Sequence, residues 1–314
     1  MVRVGIDIGG TGIQTGVVDD NGKVLAETSI ITRVDLPFSE QVAQIVQSVR
    51  DVLAKTDNST DDLHFIGVGI PGIADRNTGV IINCNNLGWR HVPFREEFQK
   101  HLDLPIILEN DANVAALAES YFGVSAGTSS SVFITLGTGV GSGIVINGKV
   151  WSGYHGIGGE LGHTILEIDG IPCACGNHGC TERYCSATAI IWLAREYLPQ
   201  HPESLIMEMV GGNLTKINAK IVFDAAKELD PVAGKIIQYY VKCLARTIAN
   251  VVNFLDPEVI VLGGGVSKAG NYLLEHIMRV YPDYVLFNEL PMPEVKIAKL
   301  GPEAGIIGAA MLTD

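Results

Sequence analysis

One stretch of this chain occurs twice. Residues 6–24 read IDIGGTGIQTGVVDDNGKV, residues 134–150 read ITLGTGVGSGIVINGKV, and two one-residue gaps bring the second onto the first. Each copy has the pattern strand, glycine turn, strand, Asn-Gly turn, strand, and Asn21-Gly22 and Asn147-Gly148 are strong hairpin signals. A duplicated hairpin predicts two related α/β domains. Their glycine turns, Gly9-Gly10-Thr11 and Gly137-Thr138-Gly139, are expected to face each other across a cleft.

The remainder alternates between strands and helices. Helical spacing runs from Gln41 to Leu53, a strand from His64 to Ile70 ends at Pro71-Gly72, and Pro105–Leu108 is a short strand before an alanine-rich helix at 111–120. Pro231 suits the first turn of a long helix whose apolar face is Ile236, Tyr240, Leu244, Ile248 and Val252. Val259–Leu262 is a buried strand ending in Gly263-Gly264-Gly265, and 303–312 is a closing helix of small residues. This alternation is the α/β class. Residues 1–115, rejoined by 300–314, are expected as the smaller domain and 116–299 as the larger.

The net charge of −13 over 314 residues argues against nonspecific binding to nucleic acid or an anionic membrane. An anionic small ligand stays open, held by backbone N–H groups and a cation. No run reaches the roughly 18 uninterrupted apolar residues of a membrane span. The chain opens directly on a strand without a charged and apolar leader, so a reducing cytoplasm is expected.

A strand ending in Gly-Gly-Thr or Gly-Thr-Gly exposes successive N–H groups with no side chain in the way, which makes a phosphate cradle. Thr11 and Thr138 add hydroxyls, and Asp7, on the strand before the first turn, suits a Mg2+ held directly or through water. No Gly-Lys-Ser/Thr follows, so this is not a P-loop, and no Gly-x-Gly-x-x-Gly opens a helix. The second chemical signal is Glu160-x-x-His163 followed by Cys173-x-Cys175-x4-Cys180 and Glu182. His163 with the three cysteines supplies the four ligands of a closed structural zinc site, with Gly176 and Gly179 letting the backbone wrap the ion. Paired disulfides or ordinary core cysteines are the alternative. Cys84, Cys185 and Cys243 are scattered and are expected as buried thiols.

Together, Asp7-Ile-Gly-Gly-Thr11, Leu136-Gly-Thr-Gly139, Glu160-x-x-His163 and the cysteine motif through Glu182 resemble the ROK family of sugar kinases. The resemblance runs from residue 2 to residue 312, and within the family the chain is similar to the bacterial glucokinases. It implies two actin/hexokinase-like (ribonuclease H-like) domains around a cleft, and ATP-dependent transfer to the 6-hydroxyl of glucose, with Mg2+ and a structural Zn2+. Asp111 then matches the catalytic base and Asn110 a sugar ligand. Glu160, His163 and Glu182 match groups around the first three sugar carbons, His163 using one ring nitrogen for zinc and the other for sugar. Gly72, Asn86 and Leu87 match the lining of the sugar site. Gly9, Gly10, Thr11, Gly137, Thr138 and Gly139 match the phosphate contacts, and Gly264 and Gly265 the place where adenosine packs.

Read without the resemblance, Asp111 serves equally well as a helix cap. Trp89 offers a sugar-stacking face, but a core aromatic is the commoner role. The family often carries Lys after Gly-Gly-Thr, and here the residue is Gly12. Other members of the family phosphorylate N-acetylmannosamine, N-acetylglucosamine or fructose, and some are sugar-sensing repressors with an N-terminal helix-turn-helix that is not seen here. Sugar and ATP are the implied partners, with a homodimer as the implied assembly.

Overall fold

The computed structural model describes residues 2–313. The chain divides into two compact units. The first runs through Phe133 and takes in Gly143–Gly159 and the residues from Lys299 on. The second is Ile134–Ser142 with Glu160–Ala298. The first unit thus continues past the 115/116 boundary read from the sequence.

The strands are β1 (Arg3–Ile8), β2 (Gly12–Val18), β3 (Val24–Ile31), β4 (Ile66–Ile70), β5 (Ile73–Asp75), β6 (Val80–Cys84), β7 (Trp89–Val92), β8 (Ile106–Asn110), β9 (Ser130–Leu136), β10 (Val140–Ile146), β11 (Lys149–Val150), β12 (Val259–Gly263) and β13 (Glu294–Ile297). One five-stranded sheet has the order β3-β2-β1-β4-β8 and the other β11-β10-β9-β12-β13. The orders match position for position, as the duplicated hairpin requires. The first three strands of the first sheet are antiparallel, and β4 and β8 add in parallel. A small antiparallel sheet, β5-β6-β7, is inserted between β4 and β8.

In the first unit the alternation of side chains along β1, β4 and β8 builds two different faces. Val4, Ile6, Ile8, Ile66, Val68, Ile70, Ile106 and Leu108 lie in one apolar cluster with the helix Phe38–Leu53 and with Phe94 and Phe98. The other face carries Gly5 and Gly67. A Cβ on either would overlap the backbone of the terminal helix Ala304–Ala310, at the Ile306 and Ala309 carbonyls. Across that helix, a Cβ on Gly308 would overlap the Val114 carbonyl in the helix Asp111–Phe122. The small residues at the end of the chain therefore let one helix backbone lie against both a sheet and a second helix. Buried Glu119 fixes the return of the chain into this unit: its Oε1 accepts from Lys299 N and Leu300 N at 2.8 Å each, and Oε2 from Val124 N at 2.9 Å.

The two Asn-Gly signals resolve differently. Asn147 and Gly148 have φ of 51° and 73° and join β10 to β11 as a two-residue turn. Between β2 and β3 the loop is longer, with Asp19 Oδ1 accepting from Asn21 N and Lys23 N at 2.8 and 2.9 Å, and of the Asn21-Gly22 pair only Gly22 takes a positive φ. The acidic side chain ahead of that pair organises the loop around itself, as Asp does in Asx turns.

The second unit is built on the helix Pro231–Leu255. Asp230 caps it by accepting from Ala233 N at 2.7 Å, and Ile236, Tyr240, Leu244, Ile248 and Val252 are all buried as their spacing predicts. No helix of the described residues is long and apolar enough to cross a membrane. Trp89 is a core residue, 3 % exposed and packed edge-on to Phe38 at 5.4 Å, which excludes it as a stacking platform. Cys84, Cys185 and Cys243 are buried free thiols, as expected.

Candidate active site

The first unit gathers one set of polar groups at the ends of β1, β4 and β8. The turn after β1 closes by Gly9 N donating to Gly12 O at 2.9 Å, and the Thr32 hydroxyl donates to Gly9 O at 2.7 Å. That bracing uses turn carbonyls and leaves Gly10 and Thr11 at the exposed tip. Asn86 lies beside the tip, since a Cβ on Gly10 would come 3.2 Å from the Asn86 Cβ. Asp7 is on the buried side of the turn, and a side chain on Gly305 would overlap its carboxylate. Burial, with the charge of Asp111 adding to it, raises the Asp7 carboxyl from 3.8 to about 6.

At the end of β8 the helix cap is Asn110, not Asp111. Asn110 Oδ1 accepts from Ala112 N at 2.9 Å and Asn113 N at 3.3 Å, while its Nδ2 donates to Gly72 O at 3.3 Å. Asp111 takes the first helical position, exposed, with Oδ1 accepting from the adjacent Ala112 N at 2.8 Å. The helix cap role considered for Asp111 is thus filled by its neighbour. Gly72 is held tightly, because a Cβ there would overlap the Asn83 carbonyl, and Leu87 is buried beneath the exposed Asn86.

The second unit carries the other set, organised around Val140. Its turn closes by Gly137 N donating to Gly139 O at 3.0 Å, one residue shorter than the first turn, which accounts for one gap in the repeat. The Thr188 hydroxyl donates to Thr138 O at 2.7 Å and Ala187 N to Gly137 O at 2.8 Å, so a threonine braces this turn as Thr32 braces the other. Glu182 Oε2 accepts from Val140 N at 3.0 Å and lies where a Cβ on Gly139 would be. A Cβ on Gly162 would overlap the Val140 carbonyl, which pins the Glu160–His163 segment to the same residue. Glu160 itself is exposed. Gly264, at φ 80°, opens the short helix Gly264–Ser267 and would clash with the Leu136 backbone if it carried a side chain, while Gly265 has open space.

His163, Cys173, Cys175 and Cys180 present donor atoms all within 4.8 Å of one another. Cys175 Sγ and Cys180 Sγ are 3.6 Å apart, and Cys173 Sγ and His163 Nδ1 are 3.8 Å apart. A disulfide needs about 2.05 Å. A tetrahedron with zinc–sulfur bonds of about 2.3 Å has edges of about 3.8 Å. All six cysteines are free, so the alternative of paired disulfides fails and the residues fit a four-coordinate zinc. Nδ1 faces the thiols, leaving Nε2 for a second partner. The loop is folded for this: Cys173 N donates to Asn177 O, Gly176 N to Cys173 O, and Gly176 takes φ 96°. Burial raises the Cys180 thiol to about 12, whereas the Asn177 N–H lowers Cys175. A bound dication would deprotonate both, since thiolate is the ligand form.

Every site residue expected from the sequence has a defined place within its unit. Residues 7–11, 72, 86–87 and 110–111 fall in the first, and 137–139, 160, 163, 173–182 and 264–265 in the second. The sequence reading missed Thr32, Thr188, Gly162 and Gly305, which shape the turns and carboxylates without carrying a recognisable motif. Only the repetition of a threonine brace at both turns would have signalled the first two.

The sequence profile of the ROK family matches residues 3–314. A glucokinase of Halalkalibacterium halodurans is 39% identical over 98% of this chain and 94% of its own length. An N-acetyl-D-glucosamine kinase of Pasteurella multocida is 32% identical over 99% of each chain. Among solved structures, a ROK family glucokinase from Streptomyces griseus in complex with glucose and AMPPNP is 32% identical, with a TM-score of 0.83 over 99% of this chain and 98% of that one.

Proposed function

This chain belongs to the ROK family and has its actin/hexokinase-like α/β fold, and on that premise we propose that it transfers the γ-phosphoryl group of ATP to the 6-hydroxyl of glucose. The observation that carries the reading is the turn at Asn110-Asp111: the amide caps the helix and the carboxylate beside it is left exposed at a strand end. Phosphoryl transfer passes through a loose in-line transition state, so the protein mainly positions groups and stabilises charge. In this reading Asp111 accepts the hydroxyl proton as the new bond forms. Asn110, Glu160, the Nε2 of His163 and the free oxygen of Glu182 hold the other hydroxyls, and carboxylates give strong charge-assisted bonds to them. The two glycine turns hold phosphate oxygens through N–H groups, with Thr11 and Thr138 adding hydroxyls. Adenosine packs at Gly264-Gly265, where Gly265 has open space beside it.

Asp7 would hold Mg2+, directly or through water, and the ion would supply charge neutralisation for the phosphates. The cysteine set would hold Zn2+ as a structural ion that fixes the Glu160–Glu182 segment. We assign the cytoplasm as the compartment, because three free thiols of the metal set need reducing conditions. A homodimer is the proposed assembly, supported by exposed Phe254, Leu286, Phe287 and Leu290 in the second unit.

The test is a coupled ADP-release assay with Mg-ATP against glucose, fructose, mannose, N-acetylglucosamine and N-acetylmannosamine. Turnover chiefly on glucose supports the proposal. Turnover chiefly on an N-acetyl sugar would shift the substrate class while keeping the chemistry, a reading favoured by the 32% identity to an N-acetylglucosamine kinase. Silence on all five overturns it.

A further inference from the structure

Glu109 is a carboxylate in the core, 5 % exposed, at the end of β8 and immediately before Asn110. A buried charge is costly unless paired and hydrogen-bonded, so its partners are informative. Its Oε1 accepts from Asn110 N at 2.8 Å and from Asn113 Nδ2 at 2.9 Å. Asn113 N in turn donates to Asn110 Oδ1 at 3.3 Å. The Asn110–Asn113 turn, with Asp111 inside it, is therefore enclosed by hydrogen bonds that start and end on one oxygen. The other oxygen, Oε2, lies 2.9 Å from Arg76 Nη2, an ion pair without an aligned hydrogen bond. Arg76 is seated from behind: its Nε donates to Leu108 O at 3.4 Å, and Arg95 Nη2 donates to the Arg76 carbonyl at 2.6 Å.

The division of labour between the two oxygens is what points to a role. If Glu109 only neutralised Arg76, its bonds would go to the guanidinium. Instead, Oε1 alone carries both contacts to the turn, and Arg76 fixes the rotamer by holding Oε2. We propose that Glu109 is a positioning residue, which holds Asn110 and Asp111 in place through Oε1, with Arg76 as its lock. The inference rests on the reading of Asn110 and Asp111 as sugar ligand and base.

The choice of variants follows from the geometry. Glu109→Ala removes the acceptor shared by Asn110 N and Asn113 Nδ2. Its kcat should fall and its sugar KM rise, lowering kcat/KM by roughly tenfold to a hundredfold, while the KM for ATP stays within about twofold. Glu109→Gln keeps a carbonyl oxygen at the Oε1 position but turns a donor amide towards Arg76, so it should retain clearly more activity than Glu109→Ala without matching wild type. Arg76→Met leaves a buried carboxylate unlocked and should lower activity, and adding Glu109→Gln to it should recover part of the loss, because the amide carries no orphaned charge.

The experiment is steady-state kinetics on the folded fraction of these variants, with hydrogen exchange at the Asn110 amide as a readout that needs no substrate. Exchange at least about tenfold faster in Glu109→Ala than in wild type, and slow in Glu109→Gln, supports the proposal. Two results overturn it: unchanged kinetic constants in Glu109→Ala despite a lower melting temperature, or Glu109→Gln as damaged as Glu109→Ala. An inactive wild type would instead sink the kinase reading, and the exchange data would then decide the positioning claim alone, unchanged exchange overturning it.

Discussion

Replacing Asp7 by Asn should make the ligand-free protein more stable at neutral pH and abolish its activity. Asp7 is a half-buried carboxylate beside Asp111, and its pKa rises from 3.8 to about 6 on folding. The sign follows from linkage: between those values the folded state holds a proton that the unfolded state has lost, so stability falls as pH rises through the window. The shift of 2.2 (6 − 3.8) is equivalent to at most about 3 kcal/mol once both states are ionised. Integrating the same two values, about 1 kcal/mol of that cost is present at pH 4.5 and nearly all of it by pH 7. Asn is close in shape and cannot ionise, so the melting temperature of Asp7→Asn minus that of wild type should widen from pH 4.5 to pH 7 and then level off. At roughly 2–4 °C per kcal/mol for a unit of this size, the widening is about 4–8 °C. The assay is thermal unfolding without nucleotide or Mg2+ across that range. A gap independent of pH, or one that narrows as pH rises, would refute the reasoning. The expected trade is a destabilised site kept for function.

Other outcomes follow from the same structure. Asp111→Ala should lower kcat by about 10²- to 10⁴-fold with a much smaller change in glucose affinity, measured by the coupled assay and by calorimetry. Cys175→Ser should reduce bound zinc from one ion per chain towards none, read by metal analysis, and lower the melting temperature, because a structural zinc site is folding energy. Gly67→Ala should cost about 3 kcal/mol or more in chemical unfolding, since its Cβ would overlap the Ala309 backbone rather than a movable side chain. Gly12→Lys should be tolerated, as its Cβ would meet only ordinary contacts at 3.5 and 3.9 Å, and it should lower the KM for ATP by supplying a cation near the first glycine turn.

The chain by itself determined the elements whose causes are local. A repeated hairpin predicted two related α/β domains, apolar spacing of four predicted the buried face of Pro231–Leu255, and four thiol and imidazole donors at short spacing predicted a cluster that does assemble. Periodicity, turn residues and metal-ligand spacing are properties of neighbours along the chain, and a sequence displays them directly. Tertiary structure decided what depends on residues far apart. It assigned the cap to Asn110 and left Asp111 exposed, buried Trp89 in a core rather than at a ligand, and made Asn21-Gly22 part of an Asp19-centred loop. It also brought Glu182 and Gly162 to Val140, Thr32 to Gly9, Gly305 to Asp7, and Glu119 to the returning chain at Lys299. Each of these is a single hydrogen bond or close backbone approach. Such a contact leaves no periodic trace, because one Gly, Thr or Glu suffices to make it and its partner is chosen by packing.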